Sequence, residues 1–149
     1  MEIVIGSDHG GFEMKEKIKK FLQILGHTVV DFGCYSEESV DYPDIALLVG
    51  EVIREGKYQK GILIDGTGGG MSIAANKIPD IRAVCAYNEL TGKFASEHDD
   101  CNILCLGARM IGDLEAQEIV KVWLETQYAG GRHQRRLDKV ADIERKYSK

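Results

Sequence analysis

Five short aliphatic or β-branched runs, each followed by a longer stretch with helical spacing of its apolar residues, constrain this chain more than any other feature. The runs lie near Ile3 to Gly6, Thr28 to Phe32, Gly61 to Asp65, Arg82 to Ala86 and Asn102 to Leu106, and their length and residue type predict strands. Between and after them, the spacing predicts helices near Phe12 to Leu25, Asp44 to Glu55, Met71 to Lys77, Asn88 to Glu97 and Leu114 to Gln127. A polar C-terminal helix is expected from about residues 133–135. Such alternation predicts an α/β fold with a parallel sheet and helices on both faces, because right-handed crossovers lay each helix over the sheet.

The expected architecture is a single doubly wound, Rossmann-like domain over residues 1–149 with a five-stranded parallel sheet. A chain of 149 residues can bury its own core without disulfide or metal staples. Its longest apolar runs, such as Ile45 to Val49, fall far short of a membrane span. The N-terminus enters a strand-like run at once, without the basic segment and long apolar stretch of an export signal. These features predict a soluble cytoplasmic protein. Cys34, Cys85, Cys101 and Cys105 show no C-x-x-C spacing and read as free thiols rather than as a disulfide framework or zinc site. A formal net charge of −5 argues against nucleic-acid binding, since phosphate backbones attract basic surfaces.

Ligands of open α/β sheets bind beyond the carboxyl ends of the strands, and here those ends carry the polar residues. Asp8 and His9 follow the first strand, Asp65 to Ser72 the third, and Gly107-Ala108-Arg109 the fifth. The run Asp65-Gly66-Thr67-Gly68-Gly69-Gly70 leads into a helix and offers a nest of N–H donors for a phosphate or a developing oxyanion. Asp65 adds a possible base and Thr67 a hydroxyl. His98, followed by Asp99 and Asp100, either caps its helix as a favourable cation or serves as an acid/base group. His27, in a turn far from the strand ends, reads as a surface residue. The His and Asp spacing matches no common metal motif. Arg132 and Arg136 stand four residues apart and share a face if the last helix starts early enough, as a phosphate clamp requires.

Taken in order, Ser7-Asp8-His9, Val40 to Asp44, Gly66 to Lys77, Leu106 to Arg109 and Gly130 to His133 resemble the ribose-5-phosphate isomerase B family, which includes the galactose-6-phosphate isomerase subunits. The resemblance runs over essentially the whole chain. It implies conversion of D-ribose 5-phosphate to D-ribulose 5-phosphate through a cis-enediol(ate), within the pentose phosphate pathway and without cofactor or metal. It further implies that His98 assists ring opening and that Asp8 and Thr67 orient sugar hydroxyls. Gly66, Gly68, Gly69, Gly70 and the following amides would stabilise the enediolate. His9, Arg109, Arg132 and Arg136 correspond to substrate and phosphate contacts. A homodimer or dimer of dimers is implied too, since the family's site lies at a dimer interface.

Two positions depart from that pattern. Asp65 stands where many members carry a cysteine base, none of the four cysteines takes that place, and Met71 occupies the position of a carboxylate used by another branch. Asp99 replaces the usual Asn, exchanging a possible donor for an acceptor. Asp65 is therefore expected to move the proton between C1 and C2. The remaining alternatives are an isomerase of allose 6-phosphate or galactose 6-phosphate, a phospho-acceptor domain, or a dinucleotide-binding module. The phospho-acceptor reading lacks the acidic pair after the first strand and the Lys after the fifth, and the dinucleotide reading lacks G-x-G-x-x-G.

Overall fold

A computed structural model describes residues 1–149. Five parallel strands, β1 (Glu2–Ser7), β2 (Thr28–Asp31), β3 (Lys60–Asp65), β4 (Ala83–Cys85) and β5 (Ile103–Gly107), form one sheet in the order β2-β1-β3-β5-β4. Six α-helices accompany them: α1 (Phe12–Ile24), α2 (Tyr42–Arg54), α3 (Gly69–Ala75), α4 (Glu89–Glu97), α5 (Asp113–Glu125) and α6 (Arg132–Tyr147).

Handedness fixes which helix covers which face. The chain steps one way from β1 to β2 and the other way from β2 to β3 and on to β4, then back to β5, so right-handed crossovers must put α1 and α4 opposite α2 and α3. The cores agree with this. On one face Ile18 and Leu22 of α1, Ala95 of α4 and Ile119 and Trp123 of α5 pack against Ile5, Ile62 and Leu104. On the other, Ile45 and Val49 of α2 and Met71 and Ala75 of α3 pack against Val4, Leu63 and Cys105. The side chains alternate along each strand because successive residues point to opposite faces.

Helix boundaries differ from the sequence expectation where local chemistry extends or shortens them. Helix α2 starts at Tyr42 rather than Asp44, since Pro43 suits a first helical turn. Helix α4 starts at Glu89 behind Asn88, whose side chain accepts from Thr91 N at 2.8 Å while Thr91 Oγ1 accepts from Asn88 N at 3.1 Å. Helix α6 starts at Arg132, because Gly131 takes a φ of 57° that turns the chain sharply into it. His27 is half-buried, with its Nδ1 shielded and unpartnered, rather than on the surface. All four cysteines are free. No helix is long and apolar enough to cross a membrane.

Candidate active site

Strands β1 and β3 are neighbours whose following segments depart to opposite faces, α1 to one and α3 to the other. A crevice opens at such a reversal, and Asp8 and Asp65 are the residues that end or follow these two strands. Asp8 N donates to Ile64 O at 3.1 Å, and Asp8 Oδ1 accepts from Gly11 N at 3.1 Å. The tight turn after β1 needs a glycine at position 11, since a Cβ there would lie 2.5 Å from Ile64 O.

Asp65 is buried, 5% exposed, and organises the glycine loop. Its Oδ1 accepts from Gly68 N at 2.5 Å and its Oδ2 from Met71 N at 3.2 Å. Burial raises its pKa above the usual carboxylate value and the charge of Asp8 adds to this, while the two amides pull the other way without cancelling it. Each oxygen keeps a second lone pair, so capping the loop leaves the carboxylate able to take a proton. Thr67 is exposed, and its Oγ1 accepts from Gly69 N at 3.2 Å. The amides of Gly66, Thr67 and Gly70 make no hydrogen bond within the chain.

The loop is clamped from β5. Ala108 N donates to Asp65 O at 2.8 Å and Arg109 N to Gly66 O at 2.9 Å, which sets the exposed Arg109 side chain beside Gly66. Gly107 permits the approach, since a Cβ there would meet Thr67 C and O at 2.5 Å. His9, at the rim, accepts from Val40 N through Nδ1 at 3.2 Å. That bond leaves Nε2 as the protonated nitrogen of the neutral ring. Asp8, His9, Asp65, the glycine loop and Arg109 thus gather at one end of the sheet.

His98, Asp99, Arg132 and Arg136 do not join them within one chain. His98 closes α4, which runs back from the end of β4 to the start of β5. It therefore sits at the amino edge of the sheet, about 16 Å from the glycine loop at roughly 3.3 Å per residue of the five-residue β5. Ala129 N donates to Glu97 O at 3.0 Å, bringing the start of α6 to the same edge. There the rings of Phe94, His98 and His133 stack, with centroids 4.3 Å apart at each step. Arg132 and Arg136 are exposed and share one helix, as their spacing requires for a clamp. Asp99 is exposed.

Three residues near these clusters carried no individual expectation. Tyr42 lies against the glycine loop, its ring 2.8 Å from where a Gly70 Cβ would be; its motif was visible in the sequence but not its contact. Cys85, the last residue of β4, places its Sγ 3.7 Å from Thr67 O, and burial pushes this thiol up. His133 became relevant only through its stacking on His98. No group of three or more His, Cys, Asp or Glu side chains is arranged to hold a metal ion.

Residues 3–140 match the family model described as Ribose/Galactose Isomerase. The chain is 42% identical over 145 residues to ribose-5-phosphate isomerase B of Escherichia coli, covering 97% of each. It superposes on ribose-5-phosphate isomerase B of Clostridium thermocellum with a TM-score of 0.98 at 49% identity, covering 99% of this chain and 100% of that one. The corresponding enzyme of Mycoplasma genitalium, solved with bound ribulose-5-phosphate, gives a TM-score of 0.92 at 40% identity, covering 97% and 96%.

Proposed function

The chain belongs to the ribose/galactose isomerase family, and from that premise we propose that it is a cytoplasmic homodimeric enzyme of the pentose phosphate pathway interconverting D-ribose 5-phosphate and D-ribulose 5-phosphate. One isomerase domain over residues 1–149 is part of this reading. The observation that carries it is Asp65, a buried carboxylate at the β1/β3 crevice, directly before a loop with free amides.

Each step has a residue for it. His98 gives a proton to the furanose ring oxygen and takes the C1 hydroxyl proton in its place, opening the sugar to the aldehyde. Asp65 takes the proton from C2 and returns it to C1, while the O2 proton passes to O1. The enediolate between these transfers carries charge absent from the aldehyde, and the amides of Gly66, Thr67 and Gly70 are placed to receive it. Asp8 and Thr67 orient hydroxyls, and Asp99 accepts from one. His9, Arg109, Arg132 and Arg136 bind the phosphate, the arginines through charge-assisted bonds.

The strand-length separation between the Asp65 loop and His98 supports a dimer in which one copy supplies the loop and the other supplies His98, Asp99, Arg132 and Arg136. Helix α6 supports the same assembly: it has no buried residue, and Val140, Ile143 and Tyr147 are 56%, 61% and 79% exposed in the single chain. A coupled assay with ribose 5-phosphate, allose 6-phosphate and galactose 6-phosphate tests the substrate. The five-carbon sugar should give the highest kcat/KM, and a six-carbon preference would overturn the assignment.

A further inference from the structure

His98 lies between two flat rings. Phe94 stacks on one side with planes 11° apart, and His133 on the other with planes 12° apart. The two neighbours come from different elements: Phe94 precedes His98 by one helical turn of α4, and His133 is the second residue of α6. Sandwiching blocks rotation of the His98 imidazole out of its plane and leaves only its edge free, the edge that bears both nitrogens. Proton transfer in a ring opening depends on holding one of those nitrogens within hydrogen-bond reach of the sugar oxygen.

The charges around the stack differ on its two sides. His133 has Arg132 and Arg136 on its own helix, whereas His98 Nε2 lies 3.8 Å from Glu97 Oε1. Partial burial lowers the His133 pKa, and His98 and the two arginines lower it further against the pull of Glu97. His133 is thus biased toward its uncharged form, which does not repel a proton carried by the ring beside it.

We propose that His133 is a positioning residue for the ring-opening step, fixing the His98 imidazole by stacking without itself exchanging protons with the sugar. This rests on the proposed role of His98. Adjacent in sequence to Arg132, which is assigned to the phosphate, it also ties the acid/base group to the phosphate clamp through one helix terminus.

The test compares His133→Ala, His133→Phe and His98→Ala in two reactions of the purified enzyme. The first is isomerisation of ribose 5-phosphate, with C2-deuterated substrate run in parallel. The second is exchange of the C1 hydrogen of ribulose 5-phosphate with solvent deuterium; this ketose is open-chain because its phosphate blocks ring closure, so exchange needs the base but no ring opening. His133→Ala should lower kcat on ribose 5-phosphate about tenfold or more, bring the deuterium isotope effect toward 1, and leave C1 exchange near the wild-type rate. His133→Phe, which keeps a flat ring, should recover most of the lost rate. If His98→Ala separates the two reactions and His133→Ala does not, the proposal fails while the role of His98 stands. If His98→Ala leaves both reactions unchanged, the underlying assignment of His98 is the error. Equal loss of both reactions in His133→Ala, or no recovery in His133→Phe, would also overturn the positioning role.

Discussion

Replacing Asp65 by Asn changes two things whose magnitudes can be separated. The carboxylate holds the loop through Gly68 N and Met71 N. An amide can still accept from one of them, but its NH2 then faces the other buried N–H. Leaving that donor unpaired costs about 1–3 kcal/mol, which for a chain of this length lowers Tm by roughly 2–4 °C per kcal/mol. The chemical effect is larger. Loss of a positioned general base lowers kcat by about a hundredfold to ten-thousandfold, or roughly 2.7–5.5 kcal/mol at 1.36 kcal/mol per tenfold. Asp65→Asn should therefore remain folded at assay temperature with kcat reduced by at least two orders of magnitude. Asp65→Cys, which restores a titratable group, should regain part of the rate. The pH profile adds a check, because the base must be ionised to act. Since burial raises the Asp65 pKa, the acid limb of kcat/KM should lie above the ordinary Asp value of about 3.9, activity falling as pH drops through it. Near-native kcat in Asp65→Asn on ribose 5-phosphate would refute the assignment, and a fall in activity that only tracks loss of folded protein would reduce Asp65 to a loop cap.

Other substitutions perturb separate parts of the molecule. Arg132→Ala or Arg136→Ala should weaken substrate binding, costing about 1.5–3 kcal/mol in kcat/KM for a charge-assisted contact, and unchanged kinetics in both would remove the clamp. Gly107→Ala should displace the glycine loop, since the new methyl meets Thr67 backbone at 2.5 Å; steady-state kinetics should show a lower kcat, and an unaffected rate would mean the loop tolerates movement. Asp31→Asn should destabilise the fold at neutral pH, by up to about 3–5 kcal/mol, because it leaves Lys15, fully buried and 2.5 Å from Asp31 Oδ2, with only the longer 3.4 Å contact to Glu16 Oε1 as a charge partner. Burial alone would raise the Asp31 pKa, but Lys15 and Lys19 outweigh it and hold the group below the usual range. The stability gained is thus present above the unfolded value near about 3.9 and lost as pH falls through the lower folded value, so denaturation curves of wild type and variant should converge in acid.

Much of the strand-end placement was legible from local pattern. Asp8, Asp65 and Arg109 each stand where a β-branched run gives way to glycine and polar residues, and a parallel sheet puts all such ends on one edge. What local pattern lacks is pairing. That β5 lies between β3 and β4 depends on packing across the whole chain, and so do the approaches of Tyr42 to Gly70 and of Cys85 to Thr67. The position of His98 shows the limit most clearly: its residue type suggested the site, yet its place at the end of a helix returning from β4 puts it at the opposite edge. The three-residue β4 and the early start of α6 reflect similar nonlocal or turn-specific effects, the second through two consecutive glycines at positive φ, Gly130 and Gly131.

In the proposed dimer, one copy's Asp65 loop and another copy's His98 and arginines make one active site for ribose 5-phosphate. Asp65→Asn and His98→Ala chains carrying different affinity tags can be co-expressed and the heterodimer isolated through both tags, then assayed with ribose 5-phosphate. Each parent homodimer has both sites impaired, whereas the symmetric heterodimer has one site free of either substitution and should show about half the wild-type activity per dimer. A heterodimer no more active than its parents would contradict a site shared between copies.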